Sequence, residues 1–304
     1  MNVIKNRNKF FLVSIIIILI GIASFCFTGI KLDIDFKGGT TIRAEIDKEF
    51  DNNEISKLVE DVINEKPLVQ KLGANQTSLA ITTETITTEQ LEKVVAKLKE
   101  KFPEMEEPTT RNVQPAFGKE LIVLAAKAIA CSLIVILLYV AIRFRVMGVS
   151  AGLSAIVALA HDVLIMLSVY AIFKVPVNSV FIAAILTIIG YSINDTLVIY
   201  DRIRENKRKL VKSSTEEVIN TSLKEVFRRC INTSLTTVVC ALVLLIVAII
   251  YNQQVLKDFA FPLIIGLISG TYSSVFIAAP VWYLLEEKVF NKQVKSSKGK
   301  KKNK

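Results

Sequence analysis

Histidine occurs once in this 304-residue sequence, as His161, and cysteine four times, as Cys26, Cys131, Cys230 and Cys240. A lone histidine cannot build a metal site without other ligands. The cysteines lie in or beside apolar runs, none in the long polar stretch after the first run, and their spacing fits neither a disulfide framework nor a zinc site. No nucleophile–base pair and no phosphate-cradling glycine loop is present. Gly38-Gly39 leads into a predicted strand, whereas a Walker loop opens a helix. Neither enzymatic chemistry nor a bound cofactor or metal is expected.

What the sequence has in quantity is apolar residues and positive charge: 52% hydrophobic, a net charge of +10 and a mean hydropathy of +0.46. A membrane protein reconciles the two. Apolar runs at 10–30, 121–142, 149–173, 179–200, 231–251 and 259–285 each reach the roughly 20 residues of a helical span. A signal peptide is the rival for the first run, but its core would be shorter, about 7–15 residues, and would end in small residues. Here bulky Phe25-Cys26-Phe27 stands where cleavage needs small side chains, and Phe25 also argues against a lipoprotein cysteine. The first run is therefore expected to be an uncleaved span.

Residues 31–119 are polar and alternate in a specific order. Strand-like alternation in 40–46 is followed by helical spacing in 53–63. Strands at 69–72 and 78–82 are joined by a turn at Gly73-Ala-Asn75, and helix 88–98 follows, capped by Thr87 or Thr88. A last strand is expected near 110–114. The order β-α-β-β-α-β predicts a small α+β ferredoxin-like domain between the first two spans. The expected fold class is a polytopic α-helical membrane protein with six transmembrane helices and this one small domain.

Lys and Arg set the orientation. Lys5, Arg7 and Lys9 precede the first run, Arg143 and Arg145 separate the second and third, and nine basic residues crowd 201–229. The tail from Lys288 to Lys304 is basic again, while the opposite loops hold only Lys174 and Lys257. The expected organisation is a cytoplasmic segment 1–9, span 10–30, an extracytoplasmic domain 31–119, a five-helix membrane domain 120–286 with a cytoplasmic loop at 201–229, and a cytoplasmic tail 287–304. A Lys-rich tail can touch RNA, ribosomes or anionic lipid, but here it reads as an orientation determinant and solvated tail; the lipid membrane is an expected partner and no specific nucleic acid is.

Charges inside the apolar runs single out the candidate site. Asp195 lies within the fourth run, where a carboxylate costs about 2.5–3.5 kcal/mol on insertion scales. Thr187, Tyr191 and Asp195 recur at i, i+4 and i+8 and predict one polar stripe. Gly190 and Asn194 flank it and would admit a neighbouring helix. His161 and Asp162 sit mid-run in the third span, about 100° apart on a helix, so they cannot both face one partner. Arg229, Thr233 and Thr237 form a second stripe, and Asp195 and Arg229 could meet near the cytoplasmic ends of their spans. The alternative is structural: carboxylates that join helices by hydrogen bonds, and an arginine that snorkels to the interface. Gly266, Gly270 and Ser274 lie on a small-residue face for helix packing, and Pro262 and Pro280 can kink the same helix.

Asp33-Ile-Asp-Phe-Lys-Gly-Gly-Thr40 resembles the Asp-Phe-x-Gly-Gly signature after the first span of the SecD and SecF export proteins, here Asp35, Phe36, Gly38 and Gly39. Residues 190–206 are similar to the SecF fourth-span signature almost throughout. Tyr139 to Phe144, His161-Asp162, Thr233-Ser-Leu-Thr-Thr237 and Gly270-Thr-Tyr-Ser-Ser274 extend the resemblance over nearly the whole chain, and the short outer domain favours the SecF branch. Membership of this branch of the resistance–nodulation–division superfamily implies a subunit of the Sec machinery. It would pair with a SecD homologue, work with the SecYEG channel and with YajC-like and YidC-like proteins, and use H⁺ or Na⁺ to pull preproteins outward late in export. By position, Asp195 would be the coupling carboxylate and Arg229 its partner. Cys230, where the family usually has threonine, and Asn252-Gln253-Gln254, in place of a glycine pair, depart from the pattern. The competing expectations are a small-molecule efflux transporter of the same superfamily and a non-transporting assembly factor.

Overall fold

The computed structural model describes residues 2–46, 48–72, 77–144, 147 and 149–287. The expected turn at Gly73-Ala-Asn75, Arg145 and the basic tail from 288 onward lie outside the described residues.

The first apolar run is helix α1 (Arg7–Thr28). A short turn of helix, α2 (Ile34–Lys37), follows, and then the elements of a polar domain in the order β1 (Gly39–Glu45), α3 (Asn52–Ile63), β2 (Leu68–Leu72), β3 (Ser78–Thr83), α4 (Thr88–Lys101) and β4 (Thr109–Val113). The strands form one antiparallel sheet in the order β2-β3-β1-β4. Period-2 alternation places Ile42, Leu79 and Ile81 on one face of the sheet. The helical spacing of Ile55, Val59, Val94 and Leu98 covers that face, and all seven are buried together. Thr87 and Gln90 cap α4 reciprocally, each satisfying a backbone N–H of the first turn. Asp51 caps α3 through the Asn53 amide.

Five long helices follow: α5 (Pro115–Arg143), α6 (Val149–Phe173), α7 (Ser179–Lys209), α8 (Thr215–Ile250) and α9 (Gln254–Ser273), the last continuing through a π turn, Ser274–Ala278. With α1 they make six helices long and apolar enough to cross a membrane. The apolar stretch of α5 buries none of its residues and that of α9 buries 56%. Thus α6, α7 and α9 form the centre of the bundle, while α1, α5 and α8 turn apolar faces outward. Helix α9 runs unbroken through Pro262. The π turn precedes Pro280, whose missing N–H leaves a carbonyl of the preceding turn without its helical donor.

One expectation is corrected. Residues 201–229 are not a loop: α7 extends to Lys209 and α8 begins at Thr215, leaving 210–214 as the connection. Charged residues are good helix formers, and the pairs Arg202–Glu205 and Glu205–Lys209 brace the extension, both at 2.6 Å. Ser214 then caps α8 through the Glu217 amide. The signature residues 34–37, given no structure of their own from sequence, form α2.

Candidate functional site: polar islands within the bundle

Helix α6 brings His161 and Asp162 to the centre, where their 100° separation lets each serve a different neighbour. The His161 ring reaches outward to α1, with Nε2 2.9 Å from Ser14 Oγ, and it stacks on Tyr272 of α9. Asp162, 1% exposed, turns inward. It accepts hydrogen bonds from Ser192 of α7 (2.7 Å) and from Ser269 (2.7 Å) and Ser273 (2.8 Å) of α9. His161 Nδ1 lies 3.2 Å from Asp162 Oδ1, the oxygen that Ser269 also meets. One carboxylate thereby ties three helices together.

Asp195, one turn further along α7 than Ser192, is 4% exposed and occupies a second island. It accepts one hydrogen bond among the described residues, from Ser234 of α8 at 3.3 Å, and Ser234 in turn accepts from Thr271 of α9 at 2.5 Å. Beside it, Thr196 and Ser274 hydroxyls meet at 2.9 Å. Both islands draw on α9, Asp162 through Ser269 and Ser273 and Asp195 through the Ser234–Thr271 relay.

The other expected site residues divide. Tyr191 bonds Thr237 Oγ1 and the Thr233 carbonyl, joining α7 to α8. Arg229, by contrast, is exposed and makes no ion pair with Asp195 among the described residues; it lines a charged cavity at the end of α7 and α8. The stripe Thr187–Tyr191–Asp195 runs from exposed through half-buried to buried. Eight residues at 100° amount to an 80° drift, so i and i+8 leave the shared face. Gly190 and Asn194 are likewise exposed, and among the described residues outside its own turn of helix nothing lies within 4 Å of a Cβ built on Gly190. Gly266 and Gly270 do lie in contacts: a Cβ on Gly266 would sit 2.4 Å from Ile188 Cγ1, and one on Gly270 3.0 Å from Ser192 Cβ. Sequence reasoning did not single out Ser192, Ser234 or Ser269 as partners. The signal available was their recurrence within the same runs as the carboxylates.

The signature after α1 forms the joint between bundle and polar domain. Phe36 is buried in the bundle's apolar core, and a Cβ on Gly118 of α5 would strike its carbonyl. Asp35 is wholly buried and accepts from the Ser179 amide (2.9 Å) and hydroxyl (2.5 Å). A negative charge at the first turn of α7 is favoured by the helix dipole, and Arg111 of β4 pairs with it at 2.8 Å. Gly38 and Gly39 hold φ of +79° and +139° against Pro115 and Thr83, where a side chain would be strained and would clash. Nearby, burial raises the Asp33 carboxyl above its ordinary value, reinforced by the charge of Asp35. Across the joint Asn252, at φ +49°, donates to Ser78 Oγ at 2.8 Å. Asparagine tolerates this left-handed conformation, which accounts for a turn without the glycine pair.

The four cysteines are unpaired, and Cys230 is buried. Among the described residues no group of three or more His, Cys, Asp or Glu side chains is placed to hold a metal.

Six apolar helices with ionisable groups enclosed between them define a multi-pass membrane protein. Residues 93–288 match the family described as protein export membrane protein SecD/SecF, C-terminal. The protein translocase subunit SecF of Rhodothermus marinus is 35% identical over 286 residues, 91% of this chain and 91% of the relative. That of Sebaldella termitidis is 34% identical over 307 residues, covering 100% of this chain and 97% of the relative. The crystal structure of SecDF, a translocon-associated membrane protein from Thermus thermophilus, superposes with a TM-score of 0.81 at 28% identity over 94% of this chain. This chain spans 39% of that chain's length. A structure of SecDF in a super-membrane-facing form matches with a TM-score of 0.69. The chain belongs to the SecF family of protein translocase subunits.

Proposed function

We propose that this chain couples ion entry to the late stage of preprotein export, with Asp195 as the carboxylate that takes up and releases the coupling ion. One observation carries the assignment. Asp195 is buried between α7 and α8 yet holds a single hydrogen bond of 3.3 Å among the described residues, whereas Asp162 is held by three serine hydroxyls. A carboxylate with spare acceptor capacity inside a bundle is suited to exchange a proton or a sodium ion, and intramembrane carboxylates mark such pathways. Asp162 with His161 is then the fixed pivot, and the hydroxyls of Ser234 and Thr271 relay Asp195's state to α8 and α9. Thr233 and Thr237 border the path, while Asn194, also expected there, faces outward from α7. Arg229 is its exit-side cation and reaches Asp195 only in another conformation.

In this reading the chain is not an enzyme and needs no cofactor beyond H⁺ or Na⁺. One charge crossing 100 mV supplies about 2.3 kcal/mol, and several such steps can bias an outer domain against a sliding polypeptide. That outer domain is the four-stranded polar unit, taken as ferredoxin-like and extracytoplasmic, with the charged ends of α7 and α8 in the cytoplasm of a bacterial inner membrane. A SecD homologue supplies the second half of the unit, in keeping with the greater length of the SecDF chain. SecYEG, YajC-like and YidC-like proteins are the further expected partners. The test is pulse-chase export of a secreted preprotein with wild type and Asp195→Asn at matched membrane levels. Slowed substrate release with SecD association intact is the expected result. Normal export would overturn the coupling role and favour an assembly factor.

A further inference from the structure

At the end of the bundle remote from the polar domain lies a cavity of about 710 Å³. Its wall carries Arg143 of α5, Arg202, Arg204 and Arg208 of α7 and Arg229 of α8. Three carboxylates share that wall, and each is already engaged. Asp201 meets Arg204 at 2.7 Å and Arg143 at 3.2 Å. Glu205 meets Arg202 and Lys209, each at 2.6 Å. Glu225 meets Arg202 at 2.7 Å and Asn206 at 2.6 Å. Arg208 and Arg229 have no carboxylate partner among the described residues, so the cavity presents two guanidinium groups in excess.

The cavity also has an apolar side. Val198 and Val226 line it. On the same face of α5 as Arg143, Tyr139 is exposed one turn before it and Ile136 half-buried two turns before it, and the apolar stretch of α5 buries none of its residues. A polar mouth whose Arg208 and Arg229 lack carboxylate partners among the described residues, continued by the unburied apolar surface of α5, matches a molecule with an anionic head and hydrocarbon chains.

We propose that this cavity binds a phosphate group, gripped by Arg208 and Arg229 and carried by an anionic phospholipid whose chains lie along α5. Guanidinium forks fit phosphate oxygens two at a time, and basic pockets between spans on the cytoplasmic side are suited to lipid head groups. A free phosphate would satisfy the arginines but leave the apolar surface of α5 uncovered. The cytoplasmic placement rests on the orientation proposed above; the binding chemistry does not.

The test uses the full-length chain in bilayer discs of phosphatidylcholine with a minority of phosphatidylglycerol, reading the lipids retained by native mass spectrometry. Phosphatidylglycerol is expected to be enriched over its share of the bilayer. Arg208→Gln should cut that enrichment about fivefold, and Arg208→Lys should restore part of it. Arg208 is exposed, so the variants should fold normally. High salt should weaken retention, and millimolar inorganic phosphate should not displace the lipid. Retained lipid of bulk composition, or an Arg208→Gln profile equal to wild type, would overturn the proposal. Displacement by inorganic phosphate would overturn the lipid source, and loss of enrichment when the SecD partner is added would assign the pocket to that partner's acidic groups. Slow export by Asp195→Asn bears on neither result, so the two readings fail separately.

Discussion

At the scale of single residues, burying a carboxylate between helices stabilises the bundle only if its neighbours supply donors. Asp162 receives three hydroxyl hydrogen bonds. Interhelical hydrogen bonds in membranes average about 0.6 kcal/mol each. Asp162→Ala is therefore expected to destabilise the bundle by about 2 kcal/mol in a detergent-unfolding titration, and Asp162→Asn by less, because an amide oxygen still accepts. The same titration should barely register Asp195→Asn, whose amide oxygen can still accept its one bond of 3.3 Å from Ser234. A large stability loss for Asp195→Asn would show it to be a pivot like Asp162. The two carboxylates were legible in the sequence because charge in an apolar run is costly. Their serine partners were not, because a helical hydroxyl can satisfy itself on its own helix. Ser168 bonds the Leu164 carbonyl and Thr187 the Ala183 carbonyl in this way. Nothing local separates those hydroxyls from Ser192 or Ser269, which reach across to another helix.

At the scale of elements, periodicity served best where one face is buried. The alternation of β1 and the helical spacing of α3 and α4 put the same residues in the core that the pattern singled out. It served less well where a helix leaves the membrane. The charged stretch after Tyr200 looked like loop because its apolar period ends there, yet the helix continues on propensity and paired charges through Lys209. The four-residue α2 is too short to show a period at all. Small residues carry a sharper prediction, because only some of them touch a neighbour. Gly266→Val would drive a branched Cβ into Ile188, where the built atom already stands 2.4 Å from Cγ1. Overpacking of this kind costs about 1–3 kcal/mol, so a lowered midpoint of thermal unfolding is expected. Gly270→Ala, meeting Ser192 at 3.0 Å, should shift it less.

At the scale of the whole molecule, the outward face of α7 is the feature the chain leaves unused. Gly190, Asn194 and Thr187 lie there exposed, although an amide side chain and a helical glycine in mid-membrane are poor choices for contact with lipid. Small residues on a helix face let a second helix approach closely. Here no helix among the described residues does so, and outside its own turn none of them stands within 4 Å of a Cβ at Gly190. The face therefore suits a helix of the proposed SecD partner, which would also supply Asn194 with a hydrogen-bonding neighbour. Gly190→Leu separates this reading from mere tolerance. Alone in a bilayer disc the variant should unfold at or slightly above the wild-type temperature, since leucine favours helix over glycine by up to about 1 kcal/mol and meets no side chain of its own protein. In co-purification from membranes it should recover much less SecD partner than wild type does. Equal recovery would show that the partner docks on another face, and the outward-facing apolar residues of α5 and α8 would become the next surfaces to mutate.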